Sequence, residues 1–244
     1  MRLKLVIQYF IFLLSVLLLQ ACAVNDKQQL NEFFESGRKA LSKKTLTEQD
    51  ISAGLKEALR VGTERVISRV GKKNGYLNDK VIHIALPKNL QKVHNTLKKV
   101  GLEKYTTEVE VKMNHAAEVA ATKARHLFWK AIKDMSWQDA KAIYNGKANA
   151  ATLYFRNKMT PALKRMMRPV ITNALAEVGA VKAYKRAVDK YHQVPFVPRV
   201  KDDLTGYVMT KGIHGMFYYL EKEEAAIRKD PLKRTTALLK KVFG

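Results

Sequence analysis

The densest run of cationic side chains lies between residues 156 and 168. It consists of Arg156, Lys158, Lys164, Arg165 and Arg168. Arg165 and Arg168 are three residues apart, so they share one face if this segment is helical. Guanidinium and ammonium groups on one face can bind phosphate or carboxylate groups. The run therefore predicts an anion-binding patch, and a solvated helix face is the competing interpretation.

Aromatic side chains upstream of this run suggest a second kind of site. They are spaced so that they could line a pocket for an acyl chain. At helical spacing the same residues could instead pack into the core. The candidates for this apolar pocket are Phe128, Trp129, Trp137, Tyr144 and Phe155.

Catalytic and metal-binding patterns are weak in this sequence. His115, Glu118 and His126 fall in one predicted helix, but His126 lies three turns beyond His115, too far for one ion to be shared. No serine stands in a Gly-x-Ser-x-Gly elbow. We therefore predict no catalytic residue, no metal site and no cofactor.

Cys22 is the only cysteine, and its surroundings are those of an export signal. Arg2 and Lys4 precede an apolar run over residues 5–19, which is short for a bilayer-spanning helix. The run ends in LQAC at 19–22, which resembles the lipobox of bacterial lipoproteins. We predict a signal peptide over 1–21, acylation of Cys22 and, because Ala23 rather than Asp follows, a location on the periplasmic face of the outer membrane.

The charge balance is strongly basic. The 244 residues contain 45 Lys and Arg against 22 Asp and Glu, a net charge of +23 with 47% hydrophobic residues. This composition excludes a disordered polyelectrolyte and a multi-span membrane protein. Near an anionic bilayer each Lys or Arg contributes about 1 kcal/mol. An exported chain rarely meets nucleic acid, so we expect a membrane surface, an anionic lipid or a protein as partner.

Hydrophobic periodicity predicts helices over most of the mature chain. A tether with a short helix is expected over 22–46 and a helical domain over 47–244. The first long helix is predicted to begin at Thr47, whose hydroxyl can form a capping pair with Asp50, and to end near Gly71. Residues 103–134 are predicted to form one Ala-rich helix. We predict an all-α fold, a single bundle of seven to nine helices with room for one short β pairing between Ile82–Leu86 and Phe196–Val197.

Several segments together resemble a known family. They are GLKEALRVG at 54–62, FWKAIKDM at 128–135, IYNG at 143–146, ATLYFR at 151–156, DLTGY at 203–207, FYYLEKEEAAIR at 217–228 and LLKKVFG at 238–244. In this order they are similar to the bacterial family catalogued as domain of unknown function 4197. The resemblance covers nearly all of residues 47–244 and implies an exported, helical protein. It implies no activity and no site residues.

These observations favour a lipid-anchored periplasmic protein that binds an anionic envelope component or a protein partner without catalysis. Two alternatives stay open. One is an envelope hydrolase whose carboxylates are assembled by the fold, and the other is a structural scaffold.

Overall fold

The structure, a computed structural model, describes residues 46–243. The predicted signal peptide, Cys22 and the predicted tether up to residue 45 lie outside the described residues. Within residues 46–243 there are ten α-helices and no strand, so the all-α prediction is confirmed, with one helix more than the predicted range. They are α1 (Glu48–Val70), α2 (Lys88–Lys99), α3 (Lys104–Lys123), α4 (Arg125–Lys133), α5 (Trp137–Tyr144), α6 (Ala150–Tyr154), α7 (Thr160–Glu177), α8 (Ala180–His192), α9 (Leu204–Lys229) and α10 (Ala237–Phe243).

Helix starts follow the capping residues of the sequence. The Thr47 Oγ1 accepts a hydrogen bond from the backbone N–H of Asp50, and the Asp50 carboxylate accepts one from the N–H of Thr47, both at 3.1 Å. Ser136 and Asp139 form the same reciprocal pair at the start of α5. Both arrangements satisfy N–H groups that the first helical turn leaves unpaired.

The helix predicted over 103–134 is interrupted at Ala124, which separates α3 from α4. The change of direction allows Leu127, Phe128 and Ile132 to be buried while α4 packs on α1. A second irregularity is a π-helical turn, Phe155–Met159, between α6 and α7. Pro161 follows it, and because proline has no N–H and its ring excludes a carbonyl four residues earlier, a wider turn is the local solution.

The central helices are α3 and α9. The α3 helix packs against α7, α8 and α9, and α9 packs against α1, α3, α6 and α7. Where these two central helices meet, a Cβ added at Gly212 would lie 3.8 Å from the Cβ of Ala117, an ordinary van der Waals distance, so the contact does not require a glycine at that position. Most of the buried side chains form one core that includes residues from α1 to α9, and a small second cluster joins Ala58, Ile227 and Leu239.

Side chains, and not a second strand, form hydrogen bonds with the backbone of the extended segment at Ile82–Leu86. The buried amide of Asn114 accepts from the N–H of Ile84 at 2.8 Å and donates to its carbonyl at 2.9 Å. The hydroxyl of Tyr207 donates to the carbonyl of Ala85. The expected pairing with Phe196–Val197 is therefore wrong, and Phe196, at φ +62°, has a backbone conformation that a strand does not use.

Two buried carboxylates tie distant segments together. Glu118 on α3 accepts hydrogen bonds from the backbone N–H groups of Asn74, Tyr76 and Leu77. Glu224 on α9 accepts from the first N–H groups of α6 and is paired with Arg228, which in turn donates to the carbonyl of Ile143. Each carboxylate thus replaces water around backbone groups that would otherwise be buried unpaired.

Candidate functional site

The α2 and α8 helices lie side by side against α3 and turn their polar sides outward. Leu90, Val93 and Leu97 of α2 are buried, as are Ala183 and Ala187 of α8. These residues recur every three or four positions, as do the buried Ala180 and Tyr191 at the ends of α8, and most of the remaining positions of both helices are exposed. The sequence of each helix therefore fixes one buried side and one exposed side.

The segment that follows α8 returns along the same surface. Its residue Asp202 accepts a hydrogen bond from the side chain of Asn89 on α2, at 3.1 Å, and donates its backbone N–H to the hydroxyl of Tyr184 on α8. The positively charged ends of the Lys104 and Lys190 side chains both lie within 6 Å of the centroid of the Tyr105 ring. Hence α2, α8 and residues 193–201 belong to one surface.

This surface carries an excess of positive charge. We call basic face the cationic side chains of residues 88–99 and 180–201, which contain ten Lys and Arg and one acid, Asp189; Asp202 borders them. Of the ten, Arg186 is paired with Glu108 of α3. The members of the basic face are Lys88, Lys92, Lys98, Lys99, Lys182, Lys185, Arg186, Lys190, Arg199 and Lys201.

Phe196 projects from the loop that borders the basic face. Its side chain is completely exposed, with a relative accessibility of 106%, and its φ is +62°. In a turn that begins with proline, a residue of positive φ is usually glycine or asparagine. Holding a bulky aromatic residue in that conformation costs on the order of 1–2 kcal/mol. The fold thus holds Phe196 in a strained conformation although its ring is not buried in the core.

The predicted anion-binding patch lies on the π-helical turn and α7. Arg156 stands 3.7 Å from the Glu221 carboxylate, and Arg168 stands 3.7 Å from that of Asp203. Arg165 is exposed and Lys164 is half-buried. The side chain of Lys158 lies outside the described residues. Acids therefore offset part of the charge of this patch, which remains a prediction.

The five aromatic candidates occupy different environments. Phe128 and Phe155 are core side chains, and Trp137 is partly buried against that core. Tyr144 packs on Phe243 of α10. Trp129 is 41% exposed and lines an open groove of about 340 Å³ between α1, α4 and α10.

His115 and Glu118, two of the three side chains considered for a metal site, have structural partners. His115 contacts the side chain of Asn74 through Nε2, and Glu118 holds the backbone of residues 74–77. Across residues 46–243 the structure contains no group of three or more His, Cys, Asp or Glu placed to hold a metal ion. Nor is any helix in that range both long and apolar enough to cross a bilayer.

The basic face was not recognised from the sequence, because its two halves are some eighty residues apart along the chain. The signal that could have found it is the charge of each helix taken separately. Residues 88–99 contain four lysines and no acid, and every one of those lysines lies off the buried side.

One comparison with known proteins gives a match. A family model described as Protein of unknown function (DUF4197) matches residues 45–244. No curated protein and no solved structure matches the chain.

Proposed function

The chain belongs to DUF4197, a family of unknown function, and on that premise we propose that it is a non-enzymatic, lipid-anchored protein of the periplasmic face of the outer membrane that binds an anionic lipid surface. The observation that carries this proposal is the basic face, in which ten cationic side chains stand against one acid. Cys22, acylated, would keep this face within reach of the bilayer.

The charge of the basic face is large enough to matter. A Lys or Arg near an anionic membrane contributes about 1 kcal/mol, and the attraction fades beyond roughly 8–10 Å. If only half of the ten cations reach the surface at once, the attraction is about 5 kcal/mol. Because acyl chains at Cys22 would already hold the protein at the membrane, this attraction needs only to orient it.

Phe196 supports the same proposal through a different physical effect. An aromatic ring that enters the interface loses contact with water, and burial of apolar surface contributes roughly 25 cal/mol per Å². Contact with water alone does not explain a strained, fully exposed phenylalanine beside the basic face. Contact with lipid explains it, since aromatic residues favour the interface between headgroups and acyl chains.

The environment of the buried carboxylates favours a binding function over catalysis. Glu118 and Glu224 accept hydrogen bonds from five backbone N–H groups, from the hydroxyl of Thr152 and from Arg228. A general acid or base needs a free oxygen beside the substrate. These two carboxylates are instead occupied in holding loops and helix ends.

Anchoring is tested on the native protein extracted from membranes. We expect mass spectrometry of its N-terminal peptide to find residue 22 at the terminus, carrying acyl chains. No processed form of the Cys22→Ser variant should be found in the outer-membrane fraction. Recovery of the native protein with Met1 and an unmodified thiol would contradict the proposed anchor and location.

Lipid binding is tested with residues 22–244 produced without acylation, by co-sedimentation with vesicles. We expect binding to phosphatidylglycerol vesicles, little binding to phosphatidylcholine vesicles, and a steep loss between about 50 and 500 mM salt. Combining Lys92→Gln, Lys99→Gln and Lys185→Gln should remove about 3 kcal/mol, on the order of a hundredfold in affinity.

The matched control combines Lys147→Gln, Lys229→Gln and Lys240→Gln, which removes the same charge from exposed positions outside the basic face. In the same assay Phe196→Gly should weaken binding without lowering the temperature of unfolding, because glycine relieves the strained φ. An equal loss of vesicle affinity in both triple-lysine variants, or binding that does not depend on salt, would contradict the proposal.

A further inference from the structure

A second site lies where the extended segment meets the middle of α9. Here Val81, Ile82 and His83 face Lys211, His214 and Tyr218 across a cleft of about 200 Å³. We propose that this cleft binds a phosphate group. The inference concerns a discrete site and does not rest on the basic face.

The polar groups that α9 presents to the cleft are hydrogen-bond donors. Lys211 carries an ammonium group, His214 an imidazole and Tyr218 a phenolic hydroxyl. They follow one another at three and four residues along α9, so they share a face. Within residues 46–243 these three side chains make no hydrogen bond and no ion pair. The Lys211 ammonium lies over the Tyr207 ring, and the Tyr218 ring packs against Tyr219, Lys222 and the edge of the core. Their donors are therefore available to a ligand.

The acids nearest to the cleft are already occupied. Glu110 stands 2.7 Å from Nε2 of His83, while Nδ1 of the same ring donates to the carbonyl of Leu77. Asp79 accepts from the N–H groups of Val81 and Ile82 and from the hydroxyl of Tyr219. Although burial opposes ionisation, these hydrogen bonds hold the pKa of Asp79 below its usual range. Neither carboxylate has to be displaced before an anion enters.

The two walls of the cleft are held rigidly. Gly215 brings them together, because a Cβ at that position would stand 2.8 Å from Cε1 of Tyr76 and 3.0 Å from Cβ of Ile82. The Tyr76 hydroxyl also donates to the carbonyl of Gly212, at 2.7 Å. A site whose donors are fixed before binding loses little entropy when the ligand arrives.

Size and charge select the ligand class. The cleft is smaller than the pockets of roughly 300–1,000 Å³ that hold drug-sized molecules, so it has room for one small polar group. A lysine ammonium with neutral donors beside it is a common way to bind phosphate. Val81, 59% exposed at the rim, offers an apolar contact to whatever the phosphate carries. The phosphate could belong to a lipid headgroup or to a soluble ester.

The test is calorimetric titration of the full chain, purified in detergent, with sn-glycerol 3-phosphate and with dihexanoyl phosphatidic acid. We expect saturable binding that Lys211→Gln and His214→Gln each weaken about tenfold, the worth of one charge-assisted hydrogen bond. Lys229→Gln, an exposed lysine near the far end of α9, is the matched control and should leave the affinity unchanged. Tighter binding of the phosphatidic acid supports a lipid headgroup, and equal affinities support a soluble ester.

Two results would overturn the proposal. One is the absence of saturable binding by either phosphate compound to a folded protein. The other is an equal loss in Lys229→Gln and Lys211→Gln, since a diffuse charge effect does not distinguish positions inside the cleft from those outside. The vesicle assay remains independent, because none of the three lysines altered there lines this cleft.

Discussion

The Glu118→Gln variant should lose about 3–5 kcal/mol of unfolding free energy, a large share of the roughly 5–15 kcal/mol by which an ordinary domain is stable. The side chain of Glu118 is 4% exposed, and its two oxygens accept hydrogen bonds from three backbone N–H groups. An amide has one oxygen and one NH₂ group, so one of the N–H groups would face another donor. A buried N–H group that faces another donor is left without a hydrogen bond, and this costs more stability than losing a hydrogen bond that water can replace.

Chemical denaturation of the purified variant and the wild type measures this loss. Glu177→Gln is the control, because it makes the same substitution in an ion pair at the surface and should cost less than about 1 kcal/mol. A loss of similar size in both variants would show that the hydrogen bonds to residues 74–77 contribute nothing beyond surface electrostatics.

Effects of Glu118 should extend to the phosphate cleft. The loop that this carboxylate holds includes Leu77, whose carbonyl orients His83. The same loop contains Tyr76, which packs against Gly215 at the base of the cleft. Where the variant remains folded, we expect a weaker affinity for phosphate even though Glu118 does not touch the ligand.

The parts of the fold that sequence predicted are those set by neighbouring residues. The capping pairs Thr47–Asp50 and Ser136–Asp139 span three residues each, and the structure forms both. The all-α class follows from periodicity over similarly short distances. By contrast, the interruption at Ala124 comes from the packing of α4 on α1, which periodicity does not encode.

Long-range pairings explain what the sequence did not predict. Extended backbone at Ile84 suggested a partner strand, and the actual partner is the amide of Asn114, thirty residues away on a helix. His83 and His214 are far apart in the sequence, yet they line one cleft. Likewise the densest local run of cations, at 156–168, differs from the densest surface, because two helices far apart in the chain combine their lysines only in the folded protein.

Alkaline pH should destabilise the protein through Tyr76. Burial of this side chain, with the charges of Glu118 and Asp79 next in order, raises the pKa of its hydroxyl far above 10. The unfolded chain ionises Tyr76 near pH 10, whereas the folded chain keeps it neutral. A folded pKa raised in this way means that the stability is fully present below about pH 10 and is lost as the pH rises, by about 1.4 kcal/mol per unit.

The Tyr76→Phe variant isolates this effect. At pH 7 it should be about 1–2 kcal/mol less stable than the wild type, because the buried carbonyl of Gly212 loses its donor. Phenylalanine has no proton to lose, so the difference should shrink above about pH 10 and vanish near pH 11. Denaturant titrations between these values measure it. A difference that stays constant would mean that water reaches the Tyr76 hydroxyl in the folded state, and the rigid base assigned to the phosphate cleft would then be wrong.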